Sequence, residues 1–137
     1  MTCLLDTHYV LWSLFEPDKI EAPVRRILEN DKGTKLVSGV NLWEISIKYS
    51  LGKLELGGVT PSELFDTVLK AGFEVLEVES RLLATYYQLP KKDNHKDPFD
   101  RLLIWQAVSN GYTLLTRDEK LEQYRGDGLH LLQADEA

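Results

Sequence analysis

Two short segments carry consecutive apolar residues at their centres, TCLLD at 2–6 and YTLLT at 112–116. A strand with one wet face alternates apolar and polar residues, because successive side chains point to opposite faces. These two do not alternate. They read as strands covered on both faces, which is the habit of parallel sheets. Three further segments complete the set: KLVS (35–38), FEVLEV (73–78) and LHLL (129–132). Between them lie stretches of helical character, such as THYVLWSLF, TPSELFDTVLKAG and DPFDRLLIWQAVSNG. This alternation predicts an α/β fold with a mainly parallel sheet of about five strands.

Helix ends are legible in places. Thr60, Pro61 and Glu63 form a capping box with proline at the first helical position, and Gly72 is a stop. Asn41 with Glu44 three residues on has the same spacing and predicts a second box, opening NLWEISIKYSLGKL. Asp97 opens a helix that ends at Gly111.

In such sheets ligands sit beyond the carboxyl ends of the strands. The acids fall there. Asp6 ends the first strand, Asp118 follows the fourth, and Glu44 follows the second. Asp97 and Asp100 open the helix before the fourth. Each has an ordinary reading. Acids in first turns face the positive end of the helix dipole, and an Asp in TRDEK suits a turn. Asp97 reads equally as a cap or as a ligand. Asp6, directly behind CLL, is harder to explain, since an unpaired charge near a core is costly. Jointly, carboxylates converging on one cleft repel each other unless a cation sits among them. Hard divalent ions with oxygen ligands, Mg²⁺ or Mn²⁺, suit that role.

At 137 residues the chain predicts a single domain spanning 1–137. A net charge of −6 argues against nonspecific nucleic-acid binding through lysine and arginine alone. It leaves open an enzyme that meets phosphates through a metal ion, or a protein that docks on a basic partner. One cysteine, Cys3, excludes an internal disulfide framework and a cysteine-based zinc site. The N-terminus lacks a signal-peptide pattern, no apolar run reaches the length of a membrane span, and the expected compartment is the cytoplasm.

LLDTHYVLW, LVSGVNLWEISIKYSLGKL, DPFDRLLIWQA and YTLLTRDEKL resemble, in order and spacing, the PIN-domain ribonucleases, and among them the VapC-type toxins of toxin–antitoxin pairs. The resemblance spans residue 3 to about 132. It implies a three-layer α/β/α sandwich and a Mg²⁺- or Mn²⁺-dependent endoribonuclease. It also implies an RNA substrate, a small antitoxin partner and homodimerisation. Asp6, Glu44, Asp100 and Asp118 match the family acids as catalytic residues. Asp6, Asp100 and Asp118 would bind metal, with Asp97 a further acid of the DPFDR branch. Thr116 matches a supporting hydrogen-bonding position. Trp105 departs from the pattern, standing where a small residue is usual.

The remaining residues are weighed separately. His8 reads as core or interface packing. His95, with Lys91, Lys92 and Lys96, reads as a solvated loop or as a phosphate-attracting mouth. Trp12, Trp43 and Trp105 read as core or oligomer contacts, and Arg101 as a partner for a nearby acid. A haloacid-dehalogenase-type phosphatase wants a second acid where this chain has DTH, and a receiver domain places its acids differently. A PIN-fold interaction protein without turnover and a DNA flap nuclease remain as alternatives.

Overall fold

The computed structural model describes residues 1–133. Five parallel strands form one sheet: β1 (Thr2–Leu5), β2 (Thr34–Ser38), β3 (Glu74–Leu76), β4 (Thr113–Leu115) and β5 (His130–Leu132). Their order is β3-β2-β1-β4-β5, so β1 lies at the centre. Leu4 pairs with Leu36 on one side and Leu114 on the other.

The pleat explains the apolar runs. Leu4, Leu36, Leu114 and Leu131 point into one core, and Leu5, Val37 and Leu115 into another. The first core is closed by α5 (Ser80–Thr85), α6 (Pro98–Asn110) and the 3₁₀ segment Glu119–Asp127. The second is closed by α1 (Thr7–Phe15), α2 (Ala22–Glu29) and α4 (Pro61–Lys70). The helix α3 (Gly39–Ser50) serves both, with Val40 in one core and Ile45 in the other. The result is the expected α/β/α sandwich. Among the described residues no helix is long and apolar enough to cross a membrane.

Three helix ends follow the sequence reading. Thr60 and Glu63 form the reciprocal box at the start of α4. Asp97 caps α6 with Pro98 at its first position, and Gly111 closes it at φ 70°. α3 departs from it. Its cap is Ser38, whose Oγ accepts from Val40 N while Asn41 Oδ1 accepts from Ser38 N. Asn41 is therefore the third helical residue, and Glu44 lies in the second turn, free to point elsewhere. The strand β3 is also shorter than 73–78. Its partner β2 ends at Ser38, opposite Leu76, so no ladder remains for Glu77 and Val78. The chain instead crosses close over Gly39, where a Cβ would stand 3.0 Å from Val78 Cγ2.

Candidate metal centre and active site

Because all strands run the same way, their carboxyl ends share one edge, and the loops leaving them build one cleft of about 650 Å³. Asp6, Glu44, Asp97, Asp100, Thr116 and Asp118 all line it. His8, Trp12, Lys48, Lys53 and Arg117 complete its rim.

Asp6 leaves β1 and caps α1. Its Oδ1 accepts the Tyr9 N–H at 2.9 Å. Burial pushes its carboxyl above the ordinary range, despite the Tyr9 and Arg117 N–H groups and the Thr116 hydroxyl that bond to it. Thr116 is fully buried, and its Oγ1 also accepts the Asp118 N–H at 3.1 Å. One hydroxyl thus ties the first acid to the loop of the last. Asp118 in turn caps the 3₁₀ segment, accepting from Lys120 N at 3.0 Å.

Glu44 is buried with both oxygens engaged. Thr7 Oγ1 donates to Oε1 at 2.6 Å, and Lys48 Nζ lies 2.6 Å from Oε2. Asn41 Nδ2 donates to Thr7 Oγ1, which leaves the threonine proton for Glu44. Asp97 spends Oδ1 on two N–H groups, those of Phe99 and Asp100. Asp100 is the third residue of α6. Its carboxyl is pushed up to about 7, first by burial and then by Asp97, Glu44, Asp118 and Asp6. Four other carboxylates therefore act on this one. Like charges this close raise a carboxyl, and a cation among them would relieve the repulsion.

Three residues come closest to a ligand set. Ligand atoms of His95, Asp100 and Asp118 lie within 4.8 Å of one another. Asp6 is not one of these three but lines the same cleft. In the sequence His95 reads as a solvated loop residue or part of a phosphate-attracting mouth, not as a buried group. It is buried, with Nδ1 2.8 Å from the Tyr124 hydroxyl and Nε2 3.5 Å from Asp100 Oδ2. Burial holds its imidazole below the ordinary range.

Other expectations need correction. His8 is exposed on the rim rather than packed in a core. Among the described residues Arg101 pairs with no acid. It turns inward and donates to the Leu89 and Pro90 carbonyls and to the Tyr86 and Tyr124 hydroxyls. Trp43 is 57% exposed, edge-on to Phe99. Trp12 and Trp105 are half-buried and pack against the two cores, in keeping with the core reading. The cations lining the cleft are Lys48, Lys53 and Arg117, not the loop lysines, of which Lys92 pairs with Asp127 at 2.8 Å. Lys48 had a signal in the sequence, four residues beyond Glu44 on one helix face.

Comparisons with known proteins agree with this geometry. Ribonuclease VapC22 of Mycobacterium tuberculosis is 25% identical over 124 residues, covering 90% of this chain and 92% of that protein. The VapBC2 structure from Rickettsia felis, bound to a DNA fragment from their promoter, superposes with a TM-score of 0.69 at 17% identity, covering 97% of this chain and 98% of that one. The DNA-bound VapBC structure from Salmonella typhimurium gives 0.66 at 20% identity, covering 98% of each chain. The PIN domain family matches residues 3–127. A cleft on a parallel sheet, acids at its strand ends, and a family match over nearly the whole chain make this protein a member of the PIN-domain family.

Proposed function

We propose that the chain is a Mg²⁺- or Mn²⁺-dependent endoribonuclease and the toxin of a toxin–antitoxin pair. The observation that carries this is the Asp100 carboxyl, crowded by four other carboxylates in one cleft. The residues suit a divalent ion. Asp100 and Asp118 offer oxygen atoms within 4.8 Å of each other, and beside them the buried His95 Nε2 has no hydrogen-bond partner. Asp6, Asp100 and Asp118 would hold the ion, with Asp97 the further carboxylate on the rim. A bound ion supplies Lewis acidity, lowers the pKa of water and offsets phosphodiester charge.

The chain's own groups do the rest. Glu44 stands outside the closest ligand group and is held rigidly by Thr7 and Lys48. On this reading Glu44, or Asp100 beside it, orients the attacking water and takes its proton. Lys48, Lys53 and Arg117 bring positive charge to the lip of an acidic centre, where a phosphate backbone must lie. Arg117 is fixed by Glu21 at 2.8 Å and lies over the Trp12 ring. Thr116 keeps Asp6 and the Asp118 loop in register.

Relatives named as VapC and VapBC support an antitoxin partner and the toxin role. The acidic cleft suits an inhibitor that inserts a cationic side chain, and a guanidinium matches carboxylates bidentately. Antitoxin and Mn²⁺ would then exclude each other, which metal titration of the complex reads directly. Homodimerisation belongs to the same reading and is read by sedimentation.

The deciding experiment is end-mapping of cleaved RNA with and without chelator. Hydrolysis by water leaves 5′-phosphate and 3′-hydroxyl ends and stops on chelation. Cyclic phosphate ends, or activity that survives chelation, would overturn the mechanism. Absence of cleavage of any RNA would favour a PIN-fold interaction protein.

A further inference from the structure

His95 sits in a loop of lysines and aspartates, yet its side chain is only 4% exposed. The loop folds inward through a bridge between Lys92 and His95, whose N–H donates to the Lys92 carbonyl at 3.3 Å. The ring packs edge-on to Tyr124, which is fully buried.

The two ring nitrogens have different fates. Nδ1 lies 2.8 Å from the Tyr124 oxygen. That oxygen also receives Arg101 Nη1 at 2.9 Å. Arginine only donates, so Tyr124 is already an acceptor there, and its second lone pair can take a proton from Nδ1. Nε2 is buried with no hydrogen-bond partner. It faces the acids, 3.5 Å from Asp100 Oδ2, with an Asp118 oxygen in the same group. A buried, unpartnered nitrogen calls for an explanation, and here it looks onto two carboxylates.

We propose that His95 is a nitrogen ligand of the divalent-metal site, completing a mixed donor set with the Asp100 and Asp118 carboxylates. This rests on the reading that the cleft binds a metal ion. Donor atoms that share an ion at roughly 2.1 Å stand about 3 to 4 Å apart. The His95–Asp100 separation of 3.5 Å falls inside that range. Asp118 is exposed, and with Oδ1 held by the Lys120 N–H a turn of its carboxylate about that bond closes the 4.8 Å limit of the group. The Tyr124 oxygen then does what outer partners of ligating histidines do. With the ion on Nε2, Nδ1 carries the proton and the Tyr124 oxygen accepts it, which aims the lone pair. Arg101 anchors that tyrosine through a bond that does not depend on the metal. The consequence is selectivity. Imidazole shifts an otherwise all-oxygen site away from Mg²⁺ and toward first-row transition ions.

The test uses the full chain loaded with Mn²⁺ and read by pulsed electron paramagnetic resonance. The wild type should show the nitrogen hyperfine coupling of a directly bound imidazole. His95→Gln should lose it while still binding Mn²⁺ through its carboxylates, with affinity lower by roughly tenfold or more. Its Mg²⁺ affinity should fall less, so the preference for Mn²⁺ narrows. Tyr124→Phe should keep the coupling and bind Mn²⁺ more weakly, since the ring loses its anchor. Mn²⁺ bound to the wild type without nitrogen coupling would overturn the proposal and leave the carboxylate centre standing. Coupling that persists in His95→Gln would also overturn it, pointing to His8. No Mn²⁺ binding by the wild type would overturn the metal reading itself. Should His95→Gln fail to fold, the wild-type spectrum still decides.

Discussion

Asp97 Oδ1 accepts the backbone N–H of Asp100 at 3.0 Å. One acid builds the helix start that aims the other. Asn caps about as well as Asp, so Asp97→Asn should change stability little, while Asp97→Ala should cost about 1 kcal/mol. Asp100→Asn should abolish most cleavage and most of the stabilisation that Mn²⁺ gives the wild type by mass action. Melting curves of the three variants with and without Mn²⁺ separate these effects. If Asp97→Asn lost metal response as fully as Asp100→Asn, Asp97 would be a ligand as well as a cap.

The Asp100 contribution to the stability of the metal-free protein should fall as pH rises from about 4 to about 7, while His95, held below its ordinary range, acts in the opposite direction. Asp100 titrates at about 7 in the fold against an ordinary value of 3.8. Between those values the folded chain holds a proton that the unfolded chain has released, so this contribution falls with pH and then levels off. Below that window both states are protonated and the group is neutral to stability. Asp6 is shifted the same way by burial. Urea midpoints measured across this range should show a shallower decline for Asp100→Asn than for the wild type. An equal decline in both would place the titration elsewhere.

Lys48, one of the cations lining the cleft, lies 2.6 Å from Glu44. Lys48→Met should make the cleft more negative, raising Mn²⁺ affinity several-fold in the absence of RNA. It should also weaken RNA cleavage, because Glu44 loses half of its support and the phosphate loses an attractive charge. Metal titration beside initial rates checks both signs. Weaker Mn²⁺ binding in the variant would show that Lys48 orders the site more than it competes with metal.

Arg101 is buried among four oxygen acceptors, two of them carbonyls of the loop before α6. Lysine cannot reproduce that planar fork. Hydrogen bonds to charged groups contribute roughly 1.5–3 kcal/mol each, so Arg101→Lys should lose about 3 kcal/mol in urea unfolding. Since Tyr124 is one of the four partners, the same variant should also weaken Mn²⁺ binding. A loss below roughly 1 kcal/mol would mean that the loop carbonyls find water instead.

Much of the molecule was readable one segment at a time. Leu4 and Leu5 face opposite cores, so the first strand had to be apolar throughout, and a strand covered on both faces belongs to a parallel sheet. Parallel strands end on one edge, which put Asp6, Asp100 and Asp118 within reach of each other before any coordinates. Caps at Thr60 and Asp97 are local chemistry and were legible for that reason. What failed were choices between equal local options. Ser38 with Asn41 and Asn41 with Glu44 both have box spacing, and the first forms while Glu44 is bound by Thr7, 37 residues away. Arg101 follows Asp100 in sequence, but successive helical residues point about 100° apart, so one faces the cleft and the other the loop beneath it. His95 lies in a polar stretch that reads as solvated. Its burial depends on Tyr124, 29 residues later, which arrives only when the last 3₁₀ segment packs against α6. Hydrogen-bond partners that far apart leave no trace in a local pattern, and folding alone brings them together.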